Sequence, residues 1–496
     1  MVGKIKLSDS ALTLVDLKTS AESEAESYSG FVPKGVIERV LKGNSKELEI
    51  IINSQMKAGI QIPIPEVLLA SKAVRGNRPF AVLDVTQRVL YNGLTSALQK
   101  DLPPLHRGGE LFEEFKLAPL NHSSKGYVVM TDVAACYQYI DHELLESELL
   151  AQTSETEITE CIISFLGALS QRSCGLPQGR LGSHILAEVV LDIAERKLLR
   201  DGAAVWRYSD DFRIHAENQS EAQRSLELLE HQLRKMGLVL SEEKTSVRTH
   251  AEYESWAHAA SKQIESVGEE VELDLTVLDQ YENEYPPDDV DVSVEQATRL
   301  LSYWVDGIRD KKSQFGPDTV INRRLFKYAL WILRGLREDE GISKTKFILE
   351  HEPSFTPDVM NYLLEVTTQY EDSVTLVLDE VVGDPDFYLS DWQKVWLLQP
   401  MKKVSELSTT QIGWVREQFK SQSGIVSSES AIVLAKHTLV DVDTLLHKFN
   451  LCDEGSRPQL VEAITITAGS ASDKKVRAVT RDRPLYGWIA EEVLKN

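Results

Sequence analysis

Cysteine is scarce: four occur in 496 residues. Cys136, Cys161, Cys174 and Cys452 are far apart and form no CxxC pair. This excludes a disulfide framework and a cysteine-based zinc site, and it makes a reducing cytoplasm the expected compartment. Long apolar runs are lacking as well. No stretch approaches the roughly 20 residues of a membrane span, so no membrane partner is expected. Near the N-terminus, Ser8, Asp9 and Ser10 stand where a secretory signal would carry its apolar core. Net positive charge is also missing: the formal value of −23 argues against a general nucleic-acid coat.

What remains is an ordinary globular mixture, 42 % apolar and 26 % charged, in a chain too long for one core. Roughly two to four domains are expected. The charge is unevenly spread. Residues 265–295 hold 12 acids and no Lys or Arg, whereas 309–337 hold eight bases and two acids. Residues 51–100 are also basic, six against two. Basic segments on an acidic chain fit either a confined nucleic-acid track or solvated helix faces, and solvated faces are the default.

Four regions emerge. Residues 1–45 are a polar extension. Residues 46–250 alternate short β-rich runs with amphipathic helices, an α+β pattern. Tyr127–Val133 and Ala204–His215 read as strands. Glu221–Met236 reads as a helix, with Ser220 and Gln223 as its capping box and Gly237 as its stop. Residues 251–340 open with a helix and continue through an acidic linker containing Pro286-Pro287 into further helices. Residues 341–496 read as an all-α helical-repeat domain. Its helix starts are marked by Thr356-Pro357, Ser390 with Gln393, Ser408 with Gln411, and Arg457-Pro458. Trp331, Trp392, Trp396, Trp414 and Trp488 lie in or beside apolar helical stretches and read as core packing.

The sharpest chemical signal is Tyr208-Ser209-Asp210-Asp211, flanked by strand-like residues. Adjacent carboxylates in a strand point to opposite faces, but a tight hairpin at the pair lets both reach one divalent-metal site. Asp132, 78 residues upstream, ends another apolar strand in Asp132-Val133-Ala134-Ala135-Cys136-Tyr137. Between the two blocks lies Gly175-Leu176-Pro177-Gln178-Gly179, then Ser183 and an amphipathic helix over 184–199. After them comes Gly237–Thr245, with Lys244.

In order and spacing these blocks resemble the palm of reverse transcriptases: motif A, an LPQG-type motif B, the YxDD motif C and a lysine-containing motif D. Tyr139–Leu144 is similar to bacterial enzymes of the group II intron lineage. The resemblance covers about residues 70–250 and implies a right-hand polymerase with fingers and palm, followed by thumb-like helices and the helical C-terminal domain. It implies that Asp132, Asp210 and Asp211 hold two Mg2+ ions, with Mn2+ a substitute, for dNTP addition to an RNA or DNA strand. Tyr137 matches the steric gate that rejects a 2′-hydroxyl. Lys244 matches the motif D proton donor. Gln178 and Gly179 would shape the nucleotide pocket. Among upstream bases that clamp the triphosphate, Arg78 matches best and Lys72 second, with Arg75 and Arg88 nearby.

The departures carry information too. Ser209 replaces the frequent Ala of motif C, His184 follows Ser183 where Pro is common, and Leu186-Ala187-Glu188 replaces Leu-Ala-Asn. Glu at that position, with a helical tail, is similar to abortive-infection and other defence-associated bacterial reverse transcriptases. That resemblance implies templated or template-independent DNA synthesis, a strand or protein hydroxyl as primer, and a homo-oligomer through the C-terminal domain. A second defence protein is a further expected partner. Residues 309–337, with Trp304, Phe326, Tyr328 and Trp331, would follow a strand by phosphate contact and stacking. The alternatives are a retron- or intron-like enzyme copying a dedicated RNA, and a non-catalytic nucleic-acid-binding scaffold. Tyr137 and the missing Gly-Asp-Asp disfavour an RNA-dependent RNA polymerase. Neither an HNH or zinc endonuclease pattern nor an RNase H signature is evident.

Overall fold

Apolar alternation and tight turns build the small sheet around which one part of the chain is organised. The computed structural model describes residues 4–26, 30–72, 76–259, 293–309 and 320–495. The chain falls into two compact units made of interleaved segments. One takes its described residues from Met1–Leu17, Ile51–Ile64 and Leu90–Pro286; the other takes its own from Lys18–Ile50, Pro65–Val89 and Pro287–Asn496. The fold is mixed α/β and mainly helical, with helices through the C-terminal part.

The first unit holds a four-stranded antiparallel sheet in the order β4-β5-β3-β6, numbering six strands in the chain: β1 Glu66–Ser71, β2 Asn77–Val82, β3 Tyr127–Asp132, β4 Ala204–Tyr208, β5 Asp211–Ala216 and β6 Ser246–Thr249. Central β3 and β5 are buried almost throughout because both sheet faces are covered. On one face Val128 and Met130 pack with Tyr253, Ala257, Leu120 and Trp256. The Gln219–Lys235 helix packs on β3 and β5, and the Leu181–Arg200 helix packs on β4. Gln219–Lys235 is capped two residues earlier than its sequence suggests. Asn218, not Ser220, accepts the Glu221 amide, and the Glu221 carboxylate receives the Glu217 amide. The Asx cap wins because its side-chain carbonyl, on an extended backbone, reaches the amide of the third helical residue. Gly237, at φ 75°, ends the segment as expected.

In the second unit β1 and β2 form an antiparallel hairpin, with Ala70 opposite Arg78. Helices follow from Val294–Arg309 to Pro484–Val493. Ser390 and Gln393 form a reciprocal capping box, Ser408 caps the next helix, and Pro sits in the first turns of Thr356–Val366 and Arg457–Ala468. Trp392 and Trp396 are buried, and both indole N–H groups are directed at the Phe31 carbonyl. The four cysteines are free. Among the described residues no helix is long and apolar enough to cross a membrane. Arg75, the Pro286-Pro287 pair and nearly all of the acidic segment 265–295 lie outside the described residues, as do Lys311 and Lys312.

Two expectations about bases in this unit are corrected. Arg88 is not an exposed phosphate clamp. Its guanidinium is buried and lies 3.0 Å from both Glu24 and Glu38. The 309–337 segment does not present its rings for stacking. Trp304, Phe326 and Tyr328 are buried, with Phe326 stacked on Phe355 at 4.0 Å and 4.8 Å from Trp304. Its bases are largely engaged: Arg323 pairs with Glu352, Lys327 with Asp358 and Arg337 with Glu365. An amphipathic helix spends its aromatic stripe on the core, and nearby carboxylates take up the charges at its edges.

Arg88→Ala would strand the buried Glu24 carboxylate and the half-buried Glu38 carboxylate. The expected loss is about 3–5 kcal/mol of stability, measurable as a lowered urea midpoint; an unchanged midpoint would show that water already solvates the pair.

Candidate active site

Three carboxylates distant in sequence meet at one end of the four-stranded sheet. Asp132 is the last residue of β3 and Asp211 the first of β5, and the register sets them directly opposite. Asp210 occupies the two-residue turn between β4 and β5, where Tyr208 pairs with Asp211. Each offers one oxygen, and these oxygens lie within 4.8 Å of one another. Asp132 is buried and the other two are half-buried. Among the described residues one other acidic group is as close, Glu338-Asp339-Glu340. Those are consecutive in the chain and have no buried member, so adjacency alone accounts for them.

The turn is strained. Ser209 sits at φ 53°, and Ala135, just after β3, at φ 49°. A left-handed non-glycine residue costs about 1–2 kcal/mol, so neighbouring contacts must hold it. At Ser209 the principal contact is Arg207. Its fully buried guanidinium donates from Nη1 to the Ser209 carbonyl at 3.1 Å and to Glu188 at 2.6 Å, and from Nε to Glu195 at 2.8 Å. Glu188 and Glu195 lie two helical turns apart on Leu181–Arg200, hence on one face. The Glu188 residue that departs from the family pattern is thus the counter-charge of the hairpin arginine. Burial pushes its carboxyl up, but His106 and Arg207 outweigh this and hold it below the ordinary value. In return the Glu188 hydrogen bond raises the His106 imidazole.

Lys244 reaches the cluster from the loop after Gly237. Ser241 N–H donates to the Asp132 carbonyl at 2.8 Å, and the Thr131 and Thr245 hydroxyls bond at 2.7 Å. These bonds fix the loop, and Lys244 Nζ lies 2.9 Å from Asp132 Oδ1. Burial would lower the Lys244 pKa, but its hydrogen bond to Asp132 and the nearby carboxylates raise it overall. Asp211 is pushed up to about 6 by burial, against Arg213 and with the charges of Asp132 and Asp210. Arg213 Nη1 is 3.8 Å from Asp211 Oδ1, and its guanidinium lies over the Phe115 and Trp256 rings.

Tyr137 follows in a short helix, Cys136–Tyr139. Its backbone carbonyl accepts the Leu176 amide at 2.7 Å, and Gly175 N–H donates to the Ile140 carbonyl, so the Gly175–Gly179 turn is stitched to this segment. Gly175 has φ 101°, and a Cβ there would come within 3.2 Å of the Gln138 carbonyl; Gly179 has φ 74°. Both positions demand glycine. Gln178 is half-buried beside them. Asp141 is spent as the cap of His142–Gln152. Arg78 on β2 and Lys72 beyond β1 are exposed and belong to the other unit.

The structure therefore brings together Asp132, Asp210, Asp211 and Lys244. The sequence reading missed Arg207, His106 and Arg107, and it noted His184 and Glu188 only as departures.

A cluster of three carboxylate oxygens, one of them buried and another with its ionised form disfavoured, fits hard divalent cations, which prefer oxygen donors. Residues 71–271, about two fifths of the chain, match the reverse transcriptase (RNA-dependent DNA polymerase) family. No curated protein matches the chain. The matched segment contains every residue of the cluster and implies RNA-directed DNA polymerase activity in general.

Two outcomes are expected. In metal-free protein Asp211→Asn should raise the melting temperature above about pH 6. The folded-state pKa of Asp211, about 6, lies above its ordinary 3.8, so its charge destabilises the fold fully above pH 6 and ceases to do so as pH falls toward 4. The wild-type-to-variant difference should shrink on acidification and reverse when Mg2+ is added. Thermal shift across pH, with and without Mg2+, measures both, and a pH-independent difference would contradict the assignment. Arg207→Ala should cost about 3–5 kcal/mol in urea unfolding, and Arg207→Lys should recover only part because it lacks the fork.

Proposed function

We propose that the protein is an RNA-directed or template-independent DNA polymerase that adds dNTPs with two bound divalent ions. The observation that carries this reading is the convergence of Asp132, Asp210 and Asp211, from two strand ends and a turn, within 4.8 Å. Residues 46–250 would form fingers and palm, 251–340 the thumb-like segment and 341–496 a helical-repeat domain. Bound by the three carboxylates, two Mg2+ would supply the charge that acidifies a primer 3′-hydroxyl and neutralises the triphosphate.

The chain's own groups do the rest. The β3/β5 register and the strained turn hold the carboxylates in place without rearrangement, the form of preorganisation that lowers a barrier most. Lys244 Nζ stays protonated at neutral pH and is the donor proposed for the leaving pyrophosphate. Tyr137, whose phenol burial pushes up to about 12, stays neutral and presents its ring to the sugar. Gln178 and Gly179 would line the base and sugar pocket. Exposed Lys72 and Arg78 are the proposed phosphate contacts.

Purified protein with Mg2+ and labelled dNTPs, with and without added RNA, tests the reading and separates templated from untemplated synthesis. Asp132→Ala, Asp210→Ala and Asp211→Ala should each lower incorporation by about a thousandfold or more. Incorporation that survives Asp210→Ala unchanged would refute it. The defence role has its own support in Glu188 and the long helical tail. In a plaque assay Asp210→Ala and Asp211→Ala should abolish the protection given by the wild type, and equal protection by the wild type and both variants would exclude a catalytic defence role.

A further inference from the structure

The residue that replaces the common proline after Ser183 has a specific partner. His184 Nδ1 lies 2.8 Å from the Tyr137 hydroxyl, with the two rings edge-to-face at 5.6 Å. From another side Arg107 Nη2 donates to the same hydroxyl at 3.1 Å and to Ser209 Oγ at 3.3 Å. A guanidinium has donors only, so the phenol oxygen accepts from Arg107, and its proton is free to go to His184 Nδ1 when the imidazole carries its own proton on Nε2. The imidazole is kept neutral, pushed down to about 3 by burial and by the Arg107 charge, and its Nε2–H tautomer has the Nδ1 lone pair this bond requires.

Both backbones beneath the clamp are anchored. Ser183 bonds to the Pro177 carbonyl at 2.5 Å and to the Tyr91 hydroxyl at 2.9 Å. A Cβ on Gly182 would fall 2.6 Å from Thr95 Oγ1, so the helix start cannot shift toward Tyr91. The Leu176 amide holds the Tyr137 carbonyl. With both ends fixed, the two hydrogen bonds at the phenol decide whether the ring can rotate about its side-chain torsions.

We propose that His184 and Arg107 are positioning residues for sugar selection: they hold the Tyr137 ring by its hydroxyl so that it excludes a 2′-hydroxyl from the nucleotide site. A proline at 184 could accept no such bond, and a phenylalanine at 137 would keep the bulk but lose the hold. Arg107 also ties the gate to the turn that carries Asp210.

The inference rests on the polymerase reading, and the experiment separates the two. Single-nucleotide incorporation gives kcat/KM for a dNTP and for the rNTP of the same base. His184→Ala, Arg107→Ala and Tyr137→Phe should each lower the dNTP-to-rNTP ratio by about fivefold or more, the worth of one hydrogen bond, mainly by improving rNTP use. His184→Gln, which can still accept the bond, should restore much of it. In a Tyr137→Ala background His184→Ala should change the ratio no further. An unchanged ratio in His184→Ala with dNTP incorporation retained overturns the inference and leaves the polymerase intact. A further change in the Tyr137→Ala background also overturns it. Wild-type protein that incorporates neither nucleotide overturns both. A second readout needs no activity: in histidine-labelled protein the Nδ1 signal absent from His184→Gln should shift in Tyr137→Phe, and a signal that stays put contradicts the bond.

Discussion

Three like charges held within 4.8 Å of one another set the terms for everything around them. At an effective dielectric of about 20, a fully ionised pair at that separation repels by at least about 3 kcal/mol. A folded chain tolerates this only if other interactions over-determine the positions of the carboxylates. Here the β3/β5 register presents Asp132 and Asp211 as partners, and the hairpin cannot relax without breaking the Arg207 fork. The repulsion is partly relieved by Lys244 on Asp132 and by the raised pKa of Asp211. A divalent cation would relieve it more completely.

Four arginines illustrate how one side chain serves different ends according to burial. Arg207 is sealed inside and carries two glutamates and a carbonyl. Arg88 is likewise spent on two carboxylates and contributes to stability alone. Arg213 lies on aromatic faces, and its charge reaches the edge of the acidic cluster. Arg107 is exposed and donates to the neutral Tyr137 and Ser209 hydroxyls, which places its charge beside the acidic cluster.

The strands were legible because the runs Tyr127–Val133 and Ala204–His215 are rich in apolar and β-forming residues, although the second run is two strands, β4 and β5, folded at Ser209-Asp210. The helix start at Ser390 was legible from its capping box, and those at Thr356-Pro357 and Arg457-Pro458 from a proline in the first turn. The Ser220 cap was misread because two candidate caps stand two residues apart, and only backbone geometry chooses between Asn218 and Ser220. The bases of 309–337 misled for a different reason. Composition counts a guanidinium without its partner, and Glu352, Asp358 and Glu365 lie up to 31 residues away from the residues they neutralise. The contacts among His106, Glu188 and Arg207, and among Arg107, Tyr137 and His184, span 19 to 101 residues. Such pairings depend on tertiary structure and leave no local pattern.

The alternation of segments between the two units has a bearing on biosynthesis. Glu66 accepts from Ser423 and from the Ile425 amide, and Trp392 meets Phe31, across 357 to 361 residues. During translation at about 5–20 residues per second, the N-terminal pieces of the second unit must therefore wait tens of seconds for their partners to leave the ribosome. Closing such long loops is slow, and the exposed β1/β2 hairpin is vulnerable to mispairing in the interval. A nascent chain of this design has reason to engage a chaperone, and a fragment ending near residue 250 would strand the hairpin without the helices that cover it.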